Sequence, residues 1–204
     1  MHSNVARTVW IALLFEGGLG VAALLVGWLV GHWPAIGMRQ DIPAREQLEA
    51  AGYGLLAGVP LLVALLLIDR FPIGPLRRLR VAAQRIIRQM FAGASYLQLA
   101  MVAVAAGVGE ELLFRGLIQE GLSRLIGGPF GPWIGLAVAS IAFGVCHWLN
   151  ATYAVLAILA GVYFGLLFAL SGSLWTPIAA HAGYDFIALI YVLRPNPWRR
   201  PSVE

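Results

Sequence analysis

Six apolar runs, each close to the ~20 residues that span a bilayer core, leave this chain little freedom: about 8–30, 51–68, 96–122, 132–148, 152–170 and 174–193. Lipid offers no partner to backbone N–H and C=O groups, so such runs must be helical. A closed barrel would need an alternation of polar and apolar positions that is absent here. The expected fold is therefore all-α, a polytopic transmembrane helical bundle of about six spans. Composition agrees, since 60% of residues are hydrophobic and only 12% are charged, against roughly one quarter charged in soluble domains.

The fourteen basic residues are all arginine, and their placement sets an expected topology. Arg7, the group Arg70, Arg77, Arg78, Arg80, Arg85 and Arg88, and the trio Arg194, Arg199 and Arg200 fall on one side of the six spans, while Arg39, Arg45 and Arg124 fall on the other. The positive-inside rule then puts both termini in the cytoplasm. Trp10, Trp33, Trp133, Trp148, Trp175 and Trp198 lie near span ends, where aromatic belts form. Residues 1–8 lead into the first run without an Ala-x-Ala cleavage site, so that run reads as a retained signal anchor. Because the arginines lie between apolar runs rather than on a polar face, membrane lipids are the expected surroundings and no nucleic acid is implied. The single cysteine, Cys146, rules out an intramolecular disulfide and a zinc thiolate cage.

Between the second and third runs, Leu76, Leu79, Ala83, Ile86, Ile87, Met90 and Phe91 share one helical face and Arg77, Arg78, Arg85 and Arg88 the other. This predicts an interfacial amphipathic helix on an anionic leaflet. Arg80 falls on the apolar face and would have to snorkel. Small residues such as Gly17, Gly18, Gly20, Gly107 and Gly109 would let helices approach closely.

Against this background the charges inside the runs need a reason. Glu110, Glu111 and Arg115 lie in the third run, His147 ends the fourth, and His181 and Asp185 lie in the sixth. A carboxylate at membrane depth costs at least ~3 kcal/mol, so such groups serve function or are paired. Glu111 and Arg115, four residues apart, are placed to form an ion pair, which leaves Glu110 without a local partner. A carboxyl group in a low-dielectric pocket is suited to general acid or base work. Phe143 and His147, and His181 and Asp185, are further pairs at the same spacing: Phe143 can orient the His147 ring, and Asp185 can hydrogen-bond His181 or share a cavity with it. The competing reading is an ion-pair network that only pins the bundle. Ser171-Gly-Ser173 with His181 would suit a serine protease, but Ser and Gly at a tight connection read as a turn.

Glu-Glu-xxx-Arg, then Phe-xxx-His, then His-xxx-Asp, each in its own apolar run, resembles the signature of the CPBP family, the CAAX-type proteases and bacteriocin-processing membrane proteins also called Abi. The resemblance covers about 94–190, roughly half of the chain. It implies an intramembrane endopeptidase that hydrolyses a peptide bond of a membrane-associated protein or peptide. Glu110 and His147 would activate a water, His181 and Asp185 would help stabilise the oxyanion, and Glu111 and Arg115 would orient the site. The implied organisation is a two-span region with the amphipathic helix over 1–92, a catalytic core over 93–193 and a cytoplasmic tail over 194–204. Asp185 departs from the asparagine of the CAAX-processing enzymes; it must either be protonated or hold His181 as the donor. A non-catalytic scaffold or regulator retaining the fold is the alternative. A transporter is disfavoured by the absence of an internal repeat. Glu110, Glu111, His147, His181 and Asp185 would also suit zinc or another divalent metal, but the His-Glu-xx-His helix of zinc proteases is missing. A metal-free, cofactor-free mechanism is expected.

Depth is the obstacle. In straight spans Glu110 falls about 22 Å from the cytoplasmic end of its helix, while His147 falls at the cytoplasmic end of its own. A shared site therefore requires tilted, broken or unequal helices, with Gly107, Gly109, Gly144 and Pro177 as candidate weak points.

Overall fold

A computed structural model describes residues 2–34, 43–71 and 73–194. Arg39, Trp198, Arg199 and Arg200, and the tail beyond Arg194, lie outside the described residues. In chain order the helices are α1 (His2–Leu29), α2 (Ala44–Ala57), α3 (Val59–Arg70), α4 (Gly74–Phe91), α5 (Tyr96–Glu111), α6 (Glu120–Ile126), α7 (Gly131–Cys146), α8 (Ala151–Ser171) and α9 (Trp175–Leu193). A π-helical segment, Leu112–Gln119, joins α5 to α6. The result is an all-α polytopic bundle.

Five segments among the described residues are long and apolar enough to cross a membrane: Val5–Leu29, Ala44–Arg70, Tyr96–Ile126, Ala151–Ser171 and Trp175–Leu193. The second is longer than its apolar run because α2 and α3 follow one another through Gly58. The fourth expected span is different. With 16 residues, α7 rises only about 24 Å, short of a ~30 Å hydrocarbon core.

That short helix resolves the depth problem. The long third helix runs to Ile126, beyond the end of its apolar run, and turns through Gly127 and Gly128, whose φ values of 65° and 58° suit glycine. α7 then returns antiparallel. Glu110 lies 16 residues before Ile126 and His147 lies 16 residues after Gly131, so the hairpin register brings them level. The kink sites expected from sequence are not used: Gly107, Gly109 and Gly144 are points of close helix contact, and Pro177 sits in the first turn of α9. The irregularity is the π segment, where the Glu120 N–H reaches back five residues to the Arg115 carbonyl. The Gly116 carbonyl receives His32 Nε2 at 2.8 Å, tying the loop after α1 to that segment.

The core runs through the middle of the bundle. Leu112, Phe168, Leu174 and Ile178 form one apolar cluster; Phe114, Phe143, Phe164 and Ala180 form a second; Val9, Phe91, Leu99 and Val102 form a third between α1, α4 and α5. α1 packs on α5, and α2 on α9. Gly20 approaches the Gly109 backbone, whereas Gly17 and Gly18 face open space and mediate no helix contact. Trp10, Leu14, Phe15, Trp28, Leu56 and Trp133 are exposed, as residues facing acyl chains would be.

α4 buries Leu79 and Phe91, and exposes Arg77, Arg78 and Arg85. Arg80 does not snorkel: its Nε pairs with Asp69 at 2.7 Å, and Tyr191 donates to the other Asp69 oxygen at 2.8 Å. This network joins α3, α4 and α9. α5 begins with a capping box in which Ser95 Oγ accepts from Gln98 N at 3.2 Å and Gln98 Oε1 accepts from Ser95 N at 2.9 Å. Ser95→Ala should destabilise the fold by about 1 kcal/mol, read as a lower thermal midpoint in detergent that Ser95→Asp restores.

Candidate active site

The structure brings together Glu110, Glu111, Arg115, Phe143, His147, His181 and Asp185. Each pairing follows from local geometry. Glu111 and Arg115, one turn apart across the start of the π segment, form an ion pair with Arg115 Nη1 donating to Glu111 Oε1 at 3.0 Å. Both side chains are shut away from solvent, at 0% and 1% exposure, so the pair needs further partners. Arg115 Nη2 donates to the Gly161 carbonyl at 3.0 Å, and the guanidinium lies 4.7 Å from the Phe143 ring centre and 5.4 Å from that of Phe164.

Glu111 has a second duty. The same Oε1 faces His181 Nδ1 at 2.8 Å, and a carboxylate paired with arginine can only accept, so Nδ1 carries the proton. Phe164 stacks on the His181 ring at 4.7 Å and 14°. Thus held, His181 turns Nε2 toward Glu110 Oε2 at 4.0 Å and Asp185 Oδ2 at 3.5 Å.

His147 is oriented in the same manner. It caps the C-terminus of α7, its Nδ1 donates to the Phe143 carbonyl at 2.8 Å, and its ring stacks on Phe143 at 4.3 Å. Its Nε2 lone pair is left pointing into the site, 3.6 Å from Glu110 Oε2. That oxygen is buried and has no hydrogen-bond partner of its own. Two acceptors at this spacing suit a molecule able to donate to both.

A cavity of about 500 Å³ opens beside these groups. His147, His181, Asp185, Tyr153 and Tyr184 line it, with apolar walls from α3, α4, α8 and α9 that include Leu61, Leu65, Ile87 and Leu156. Glu110 sits behind the two imidazoles rather than on the wall. Because α7 stops early, its end leaves room for this space. Among the described residues, no three His, Cys, Asp or Glu side chains are arranged to hold a metal ion. Ser171 Oγ donates to the Ser173 carbonyl and accepts from the Ser173 N–H around Gly172, which closes α8 at φ 63°; they form a turn.

Sequence reading missed three contributors. Gln119 repeats the Arg115 contact one turn on, Nε2 donating to the Gly165 carbonyl at 3.0 Å. Phe164 carries no polar signal that would distinguish it from any core aromatic. Glu16 is the third: α1 brings its backbone carbonyl against Gly109, next to Glu110, and its Oε2 is buried without a hydrogen bond. As an acid in the middle of the first apolar run, it met the same criterion that singled out the other acids.

Residues 92–187 match the family model described as Rce1-like, type II CAAX prenyl endopeptidase Rce1-like. Over that segment the chain is similar to the CAAX-protease-like family. The match begins after α4 and ends within α9, so it includes every polar site residue named above except Glu16. No curated protein and no solved structure matches the chain.

Proposed function

We propose that this chain is an intramembrane endopeptidase that hydrolyses a peptide bond of a membrane-associated protein or peptide, with Glu110 and His147 activating the attacking water. The observation that carries this reading is the 3.6 Å separation of Glu110 Oε2 and the His147 Nε2 lone pair beside a cavity of substrate size. A water donating one proton to each acceptor is made more nucleophilic toward a carbonyl in the cavity. Glu110 takes the water proton and passes it to the leaving amine. With Nδ1–H committed to Glu111, His181 donates from Nε2 only as imidazolium, and Asp185 supplies the countercharge. In that state His181 stabilises the developing oxyanion. Asp185 then needs no proton of its own, which accommodates aspartate at this position. Glu111 and Arg115 orient His181 without touching the substrate.

The arginine distribution supports placement in an inner, cytoplasmic membrane with both termini in the cytoplasm. The apolar cavity walls suit a substrate segment with apolar side chains, and no nucleic acid is involved.

The test uses the purified protein in lipid vesicles, membrane peptides and ¹⁸O-labelled water. A hydrolase incorporates one ¹⁸O atom into each new carboxylate, and a scaffold incorporates none. EDTA and 1,10-phenanthroline are expected to leave the rate unchanged, because the nucleophile is generated by side chains; a chelator-sensitive rate restored by zinc would overturn the metal-free mechanism.

A further inference from the structure

We infer that Arg80 and Gln84 form a substrate subsite for a carboxylate, at the end of the cavity away from the catalytic groups. The inference rests on the peptidase reading and names a feature of its substrate: an acidic side chain or a free chain terminus at a set distance from the scissile bond. The cavity follows one face of α9, where His181, Asp185, Ala188 and Tyr191 line it in succession. His181 and Tyr191 are ten residues apart, which is about 15 Å along a helix. An extended peptide covers that length with roughly four to five residues, at about 3.3 Å each. Between the two ends the walls from α3, α4 and α8 are mainly apolar.

The far end is built from charge. Arg80 Nε pairs with Asp69 Oδ1 at 2.7 Å and Tyr191 donates to Asp69 Oδ2 at 2.8 Å, so both Asp69 oxygens are engaged. The Arg194 guanidinium lies 3.8 Å from the Tyr191 ring centre, and Arg88 Nη2 donates to the Arg194 carbonyl at 3.0 Å. Three arginines thus stand around one carboxylate. The guanidinium of Arg80 has N–H groups beyond Nε, and its side chain, 29% exposed, lines the cavity. Gln84, one turn later on α4, lines it too and has no hydrogen-bond partner among the described residues. The catalytic end has the opposite sign. There Glu111 and Arg115 cancel, while Glu110 and Asp185 share the single His181 imidazolium. A carboxylate on the substrate is repelled from that end and drawn to the other, which sets the direction in which the peptide lies. Asp69, Arg80, Gln84 and Tyr191 all fall outside the segment 92–187 that resembles the CAAX proteases, so the subsite belongs to the flanking helices of this chain.

The experiment uses full-length protein in lipid vesicles and an amidated apolar peptide whose scissile bond is mapped by mass spectrometry. One Glu is then moved position by position away from that bond, on either side, with Gln at the same place as the control. A second set ends at each position with a free carboxylate. For the wild type, KM should fall about 10-fold at one offset, roughly four to five residues from the bond, the effect of one hydrogen bond between charged groups. A gain from internal Glu assigns the subsite to acidic side chains, a gain only from free ends assigns it to chain termini, and either supports it. Gln84→Glu should flatten the profile by placing a carboxylate one turn from Arg80, and Gln84→Lys should deepen it. Arg80→Gln should flatten it as well, and the Gln84 variants, which take no partner from Asp69, decide the matter should that protein fail to fold. Equal KM for charged and neutral peptides at every offset, or a preference that survives in Gln84→Glu, overturns the inference. If the wild type cleaves no peptide the peptidase reading fails, while direct binding of the Glu and Gln peptides to wild type and Gln84→Glu, read by fluorescence anisotropy, still decides the subsite.

Discussion

Glu110→Gln is expected to lower kcat for peptide hydrolysis by about 10²- to 10⁴-fold, the usual contribution of a positioned acid–base group, with KM nearly unchanged. The amide matches the carboxyl in shape, but it cannot accept the water proton. His147→Ala should cost a similar factor, since it removes the second acceptor 3.6 Å away. The double variant distinguishes this mechanism from two independent contributions. Groups acting on one water are grossly non-additive, so Glu110→Gln/His147→Ala should be little worse than either single change. Losses that multiply would mean that the two residues do not share a nucleophile. Single-turnover cleavage, with unfolding midpoints measured in parallel, gives the comparison.

The helical fold was readable because lipid removes the alternatives: an apolar run of about twenty residues has one backbone solution. The end of each run was harder to read. Arg124 and Ser123 make the last turn of α6 look like a loop, yet it is helical and carries the Glu120–Arg124 pair, 2.7 Å apart at one-turn spacing. The depth conflict came from the fourth run, taken as spanning the full bilayer to its cytoplasmic face, whereas α7 has only 16 residues. Measured from the facing helix ends at Ile126 and Gly131 instead, Glu110 and His147 each lie 16 positions away, and no kink is required.

Within the site, ion pairs one turn apart were legible, because helical spacing alone brings Glu111 to Arg115. Contacts between helices were not. That Phe164 would stack on His181, or that the Gly161 and Gly165 carbonyls would accept from Arg115 and Gln119 in successive rungs, depends on how α8 is rotated against the π segment. α8 is apolar all round, so its sequence contains no record of that rotation. Glu16 was legible and was passed over, since an isolated acid lacks the motif spacing that drew attention to Glu110, His147 and His181.

Arg115→Ala should be among the most destabilising single substitutions in the chain, by about 3–5 kcal/mol, because removing one partner of a buried ion pair strands the other. Glu111 would keep only His181 Nδ1, with its Oε2 already lacking a hydrogen bond, and the Gly161 carbonyl would lose its donor. Arg115→Lys should recover only part of the loss. A single ammonium lacks the planar fork that reaches Glu111 and Gly161 together while lying against Phe143 and Phe164. The informative variant replaces both charges, Arg115→Met with Glu111→Leu, since an apolar pair of similar volume often matches a buried ion pair in stability. Its thermal midpoint in detergent should return toward wild type, yet its kcat should stay low: with Glu111 gone, nothing holds the His181 Nδ1 proton or aims Nε2 at the oxyanion. A folded protein without turnover assigns the pair to the orientation of His181. Recovered stability with recovered turnover would reduce it to a bundle pin.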